Sequence, residues 1–247
     1  MKYSVSIVKY TNTLPLRYGI NHHPVLNEMD LQLDTPADCA QKLLEGKVDI
    51  GLIPVAVIPL LKEHNIISNY CIGSNDKVDT VKLYSNVSLQ EIETVMLDYQ
   101  SRTSVMLAKV LAKFYWKISP KFINAQAGFE TKVKNKEAAV VIGDRCFSLN
   151  GTYKYEYDLA LEWKHFSGFP FIAAAWVSNK KIEPDFIAKL EDAMRWGIKR
   201  VDESIKNEPS ISNPEMIKTY LTERINYDFD EPKKKSLKLF LDLIQQL

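Results

Sequence analysis

Glycine is scarce in this chain, nine residues in 247, and none of the nine falls in a Gly-x-Gly-x-x-Gly fingerprint, a phosphate-cradling loop or a Gly-x-Ser-x-Gly turn. Those absences disfavour nicotinamide enzymes, kinases of familiar type and serine hydrolases of the elbow kind. Cysteine is scarcer still. Cys39, Cys71 and Cys146 are odd in number, far apart and outside any Cys-x-x-Cys spacing, so they read as reduced, buried thiols rather than a disulfide framework or a zinc site. The four histidines, His22, His23, His64 and His165, form no His-x-x-x-His face, and no metal site is expected. An excess of charge is lacking too: 32 lysines and arginines stand against 31 acids. No global field draws the protein to nucleic acid or to a membrane surface, and any anion must be caught locally. The longest apolar run, residues 50–61, carries Pro54 and Pro59 and is far shorter than the ~20 residues needed to cross a bilayer. Lys2, Ser4, Ser6 and Lys9 interrupt the beginning where a signal peptide would need an apolar core, which predicts a cytoplasmic protein.

What is present is an ordinary globular composition, 46% hydrophobic and 26% charged, in a chain long enough for two lobes. Residues 4–8 read as a buried strand. Thr35-Pro36 opens a helix that Gly46 closes, and 48–55 is a continuous apolar run expected of a central strand. Further strands are predicted at 66–72, 80–84, 95–97, 120–125, 138–142 and 169–177. Helices are predicted after Ser101, over 186–205, over 216–221 and at the end, with a tyrosine-rich connection after Gly143-Asp144. Two strand-helix-strand series without a linker predict an α/β protein of two lobes, 1–86 plus 172–247 and 87–171. The hinge is expected near 85–87 and 168–171, and the ligand cleft between the lobes.

The candidate site residues follow from that plan. Ser101, Thr103 and Ser104 lie at a helix amino terminus, where unpaired N–H groups and hydroxyls make either an anion cup or a simple cap. Gly143 and Asp144 end a strand of the same lobe and read either as a close backbone approach to a ligand or as an exposed turn. Ser85 is either a ligand hydroxyl or a loop serine. The run Lys233-Lys234-Lys235 reads as the solvated face of the last helix, and Tyr153, Tyr155, Tyr157, Trp163 and Phe166 as packing within a lobe.

The stretch Val8-Lys9-Tyr10-Thr11-Asn12-Thr13-Leu14-Pro15-Leu16 resembles the amino-terminal Tyr-x-Asn-Thr-x-Pro-Leu signature of the chorismate dehydratases of the futalosine route to menaquinone. Three further matches follow in order: residues 43–53, Ser101-Arg102-Thr103-Ser104-Val105, and residues 158–163 followed by Gly168-Phe169-Pro170-Phe171. The resemblance implies a type II periplasmic-binding-protein fold used as a cytoplasmic enzyme that converts chorismate, a small dianion, to 3-[(1-carboxyvinyl)oxy]benzoate. It implies no cofactor and no metal. It places Asn12 at the reacting centre, and the expected substrate-binding residues are Tyr10, Ser85, Ser101, Thr103, Ser104, Gly143 and Asp144. Val55-Ala56-Val57 departs from the small polar residue and acid that the family carries there, as does threonine for leucine at Thr11. The alternatives are the sister lyase forming 1,4-dihydroxy-6-naphthoate and a non-catalytic ligand receptor of the same fold.

Overall fold

The computed structural model describes residues 2–247. In chain order its elements begin β1 (Tyr3–Val8), α1 (Leu14–Asn21), β2 (Met29–Asp34), α2 (Pro36–Leu44), β3 (Ile50–Pro54), β4 (Asn65–Ser74) and β5 (Val81–Ser85). There follow β6 (Thr94–Leu97), α3 (Thr103–Val110), β7 (Lys121–Asn124), β8 (Glu137–Ile142), α4 (Arg145–Leu149), β9 (Tyr155–Asp158) and α5 (Leu159–Ser167). The last are β10 (Phe171–Ser178), α6 (Pro184–Ile198), α7 (Val201–Lys206), α8 (Pro214–Thr219), β11 (Asn226–Asp228) and α9 (Glu231–Ile244).

The chain divides into two compact units, Met1–Gly73 with Ile172–Asp230, and Ser74–Phe171 with Glu231–Leu247. This partition differs from the expected lobes at residues 74–86 and 231–247, and the reason is pairing and packing. Residues 81–85 form β5, which hydrogen-bonds antiparallel to β8 on one side and to β9 on the other, inside the second sheet. At the carboxyl end, α9 sets Phe240 edge-on against Trp163 and Phe171, and Ser236 Oγ accepts from Trp163 Nε1 at 2.9 Å. The chain therefore passes from one unit to the other after Gly73, Phe171 and Asp230, rather than at 85–87. The lysine run is also not wholly solvated: Lys234 and Lys235 are exposed, but Lys233 is completely buried.

In the first unit the strand order is β11-β4-β10-β3-β1-β2. β1 pairs parallel with both β2 and β3, and β10 runs antiparallel to β3. Val5, Ser6 and Ile7 are fully buried, as a strand covered on both faces requires. The second sheet has the order β7-β6-β8-β5-β9, with β6 parallel to both β7 and β8. All three cysteines are free and buried, and burial pushes the Cys39 and Cys146 thiols up to about 12, so both stay protonated and inert. The elements not read from the sequence include β2, whose alternation Met-Asp-Leu-Gln-Leu-Asp is polar on one side; the short α4, β9 and β11; and α5, read as a connection. The helix expected over 186–205 is two, α6 and α7, broken at Lys199 and Arg200.

α1 follows the polar corner after β1, and Pro15 occupies its first turn, where a missing N–H is harmless. Its buried face, Leu14, Leu16, Gly19 and Ile20, lies on α6. There the two helices touch backbone to backbone. A β-carbon on Gly19 would overlap the carbonyl oxygen of Ala193, and one on Gly197 would overlap the carbonyl oxygen of Pro15. Gly197→Ala is expected to reduce stability by about 1–3 kcal/mol through overpacking, lowering the thermal midpoint by roughly 3–10 °C; an unchanged midpoint in a calorimetric scan would show that the crossing tolerates a side chain.

Candidate functional site

The corner after β1 is built from short hydrogen bonds. Lys9 extends the ladder by donating its N–H to Asp34 O at 2.9 Å, after which Thr11–Thr13 make one turn of 3-10 helix. Thr13, fully buried, turns its hydroxyl back to the carbonyls of Val8 and Tyr10 at 2.5 and 2.9 Å. Tyr227 OH donates to the main-chain carbonyl of Asn12 at 3.0 Å. Burial pushes the Tyr227 phenol well above its ordinary range, so it remains a neutral donor. The main chain of Asn12 is thus held on both sides, while its side chain is not. Its Oδ1 is buried and accepts no hydrogen bond among the described residues. A buried acceptor left unmatched costs about 1–3 kcal/mol, and an amide that retains such a deficit is poised to take a donor from a ligand. Tyr10 is half-buried beside it.

β3 lies parallel to β1, so the turn that follows it belongs to the same end of this sheet. That turn, Val55–Leu60, buries Val55, Val57 and Ile58. The departure at Val55-Ala56-Val57 therefore supplies apolar packing where a polar contact was in question.

In the second unit, the parallel pairing of β6 with β8 brings the turns after both strands to one end of the sheet. Asp98, at the close of β6, ties them together. Its side chain is fully buried; Oδ2 accepts from Ile142 N at 3.0 Å and from Arg145 Nη2 at 2.6 Å, and Oδ1 accepts from Gln100 N at 2.9 Å. The Arg145 guanidinium lies over the Tyr99 and Phe129 rings at 5.5 and 5.9 Å, with Glu130 Oε2 at 3.8 Å from its Nη1. Gly143 holds a φ of +70°, where a side chain would be strained, and donates its N–H to Thr80 O at 2.9 Å. Asp144 is exposed at the start of α4.

Ser101, Thr103 and Ser104 are all buried. Ser101 Oγ accepts from Ser104 N at 3.1 Å, so it caps α3, whereas the Ser104 hydroxyl makes no hydrogen bond among the described residues. Capping by Ser101 leaves its proton free to donate, and with Ser104 it offers two hydroxyls beside the positive end of the α3 dipole. Such a turn suits one carboxylate. Ser85 does not belong to this cluster. It pairs with Ala138 while Val81 pairs with Ile142, which puts it about 13 Å along the sheet from the Gly143 end. Its Oγ donates to Glu137 O at 3.1 Å and accepts from Val87 N at 3.2 Å.

Sequence reasoning missed Asp98, Arg145 and Tyr227. An acid directly after the apolar Val95-Met96-Leu97 and a cation directly after Gly143-Asp144 were the available signals, since buried charges demand partners. Of the histidines, His22 Nδ1 lies 2.8 Å from Tyr18 O, and His23 Nδ1 accepts from Val25 N at 3.1 Å while its Nε2 lies 3.5 Å from Asp192 Oδ2.

Solved structures with the same architecture include a protein of Archaeoglobus fulgidus, at 14% identity and TM-score 0.79 over 99% of this chain and 97% of that one. A Candida albicans gene product described as having the generic periplasmic-binding-protein fold matches at 13% identity and TM-score 0.66, over 100% and 91% of the two chains. The alkanesulfonate-binding protein of Xanthomonas axonopodis pv. citri matches at 12% identity and TM-score 0.62, over 99% and 92%. These likenesses establish the periplasmic-binding-protein fold. Among curated proteins, the chorismate dehydratase of Thermus thermophilus is 24% identical over 266 residues, covering 98% of this chain and 95% of that protein. The model of a family described as menaquinone biosynthesis matches residues 3–246, and the chain belongs to that family.

Proposed function

We propose that this chain is a carbon–oxygen lyase that dehydrates chorismate to 3-[(1-carboxyvinyl)oxy]benzoate. Membership of the menaquinone-biosynthesis family and the similarity to a chorismate dehydratase support the substrate. The observation that carries the residue assignment is the buried Asn12 Oδ1 without a partner, on a main chain fixed by Thr13 and Tyr227.

The chemistry asks little of a catalyst beyond orientation. One C–O bond to the ring hydroxyl breaks, one C–H bond on the neighbouring ring carbon breaks, and water leaves as the ring becomes aromatic. No electrons are gained or lost overall. Aromatisation supplies the driving force, so holding the leaving hydroxyl and the departing proton in line is the main requirement. An amide is a poor base. In this proposal Asn12 Oδ1 accepts from the ring hydroxyl and holds it aligned for departure, while a substrate carboxylate or a water takes the ring proton and passes it to the departing oxygen, which leaves as water. The hydroxyls of Ser101 and Ser104 and the N–H groups at the start of α3 receive one carboxylate, with Thr103, Gly143 and Asp144 bordering it; Tyr10 flanks Asn12. Ser85 has no part in this scheme, since its hydroxyl is engaged inside the sheet.

Incubation of the purified protein with chorismate, followed by mass spectrometry, is expected to yield a product lighter by one water with no pyruvate released. Binding seen as a raised melting temperature without turnover would instead mark a receptor of the same fold. Asn12→Ala is expected to lower kcat by about 100-fold or more, in the range seen when one oriented polar group is removed, with the thermal midpoint unchanged; undiminished turnover would refute the assignment. Ser104→Ala is expected to raise KM about tenfold, as for a lost hydrogen bond to a charged group, while kcat falls far less; the converse split in steady-state kinetics would place Ser104 at the reacting atoms.

A further inference from the structure

The second unit carries a groove of about 740 Å³ on the side of α3 and the segment after it, bounded by β7. Lys109, Lys113 and Lys117 line it, over a floor that includes Ile118, Pro120 and Phe122. Lys109 and Lys113 are four residues apart, the spacing that stacks side chains on one helical face, and Lys117 follows directly after the helical stretch ends at Trp116. No aspartate or glutamate borders the groove, and none of the three lysines has a carboxylate within 4.0 Å among the described residues, although Lys113 Nζ donates to the main-chain carbonyl of Gln246 at 2.5 Å. Some other lysines are paired, as Lys42 is with Asp34 at 2.7 Å, Lys82 with Glu156 at 2.9 Å and Lys189 with Asp185 at 2.7 Å. In a chain whose formal net charge is +1, three cations without an acidic side-chain partner along one groove are a local excess of positive charge.

The backbone here is also irregular. α3 gives way at Leu111 to a π-helical stretch ending at Trp116, and the next residue, Lys117, takes up the left-handed conformation at φ 55° and ψ 44°. A non-glycine residue rarely adopts that conformation, and π-turns are enriched at binding sites. The result is that Ile118 N closes back on Ala112 O at 2.9 Å, directing the chain from the helix toward β7 along the groove. The lysine stems complete the wall: Lys109 Nζ lies 5.7 Å from the Phe122 ring centroid and Lys113 Nζ 5.3 Å from that of Phe114.

We propose that this groove binds a small organic polyanion with an apolar body, such as an aromatic dicarboxylate or an aryl phosphate ester. The apolar floor takes the ring and the ammonium groups take the anionic ends. Its volume falls within the ~300–1,000 Å³ typical of small-molecule sites. A protein partner fits less well, because a stable interface needs about 800 Å² on each side with aromatic or aliphatic anchors. Of the large apolar side chains that stand more than a third exposed, only Leu247 borders the groove.

The test uses the full chain, with naphthalene-2,6-dicarboxylate and 1-naphthyl phosphate as probes and two readouts. Equilibrium titration by probe fluorescence is expected to give binding to the parent protein that weakens about tenfold or more in Lys109→Gln/Lys113→Gln, since each exposed charge contributes up to ~1 kcal/mol. Acetylation footprinting by mass spectrometry is expected to show Lys109, Lys113 and Lys117 protected about threefold or more by bound probe, relative to the exposed Lys62 and Lys235. The variant's chorismate turnover should match the parent's, because neither lysine takes part in the proposed catalytic site, and its thermal midpoint should change little, since the one hydrogen bond lost, Lys113 Nζ to Gln246 O, is exposed. A preference for one probe identifies which anion, carboxylate or phosphate, the groove takes. Equal affinity of parent and variant, or protection no greater than at Lys62 and Lys235, would overturn the proposal.

Discussion

The contact between the backbones of α1 and α6 governs the first unit. Helices with ordinary side chains between them pack 8–10 Å apart, whereas Gly19 and Gly197 here face the opposing main chain with no room for a β-carbon. A glycine inside a helix costs about 0.5–1 kcal/mol relative to alanine, and both helices accept it. The return is positional. α1 follows directly from the Asn12 corner, so a helix seated against α6 leaves the corner little freedom to shift. The contact also joins two distant parts of the chain, since α6 lies in the segment that re-enters this unit at Ile172. Around it, Tyr18 stacks on Trp196 at 5.6 Å and the Arg200 guanidinium lies over the Trp196 ring at 4.0 Å.

Asp98 plays the corresponding part in the second unit. A carboxylate with no solvent exposure is tolerable only when its lone pairs are matched and its charge is balanced. Two backbone N–H groups and the Arg145 guanidinium do both. The consequence for the site is that the turn before α3 and the turn before α4 are tied to one atom group. Ser101, Ser104 and Gly143 therefore keep a fixed relation to one another. Asp158 acts in a similar way at the far end of β9, where it accepts from the backbone N–H groups of Val78, Asp79, Ala160 and Leu161. Burial nonetheless holds its carboxyl above the usual range.

Ser101 illustrates why the bland and the functional readings of a helix start need not compete. Its oxygen accepts the N–H of Ser104 as a cap, yet its own proton stays available, as does the whole Ser104 hydroxyl. Ser85 illustrates the opposite case. From sequence it follows a strand just as Ser101 does, but both functions of its hydroxyl are occupied by Glu137 O and Val87 N. Nothing in a linear sequence distinguishes the two, because the antiparallel direction of β5 against β8 is what sends Ser85 to the wrong end.

The apolar central strands of the two cores, the helix opening at Thr35-Pro36, the α3 start and the family signature at Tyr10–Leu16 were legible because they rest on local chemistry: periodicity, capping and fixed proline geometry. α5 was legible in principle, since Asp158 caps it with bonds to Ala160 and Leu161, but the surrounding tyrosines masked the cap as a connection. The assignment of residues 74–86 and 231–247 to the second unit was not legible, because β5 chooses its partners by long-range pairing and α9 by the fit of Phe240 to Trp163. By itself, then, the sequence determined the central strands, the well-capped helices and where a polar residue such as Asn12 stands relative to them, since those depend on neighbours within a turn or two. Only the tertiary structure decided that Asn12 keeps an unmatched buried oxygen, that Asp98 finds Arg145 across 47 residues and that Ser85 is occupied, because partners distant in sequence meet only when the chain is packed.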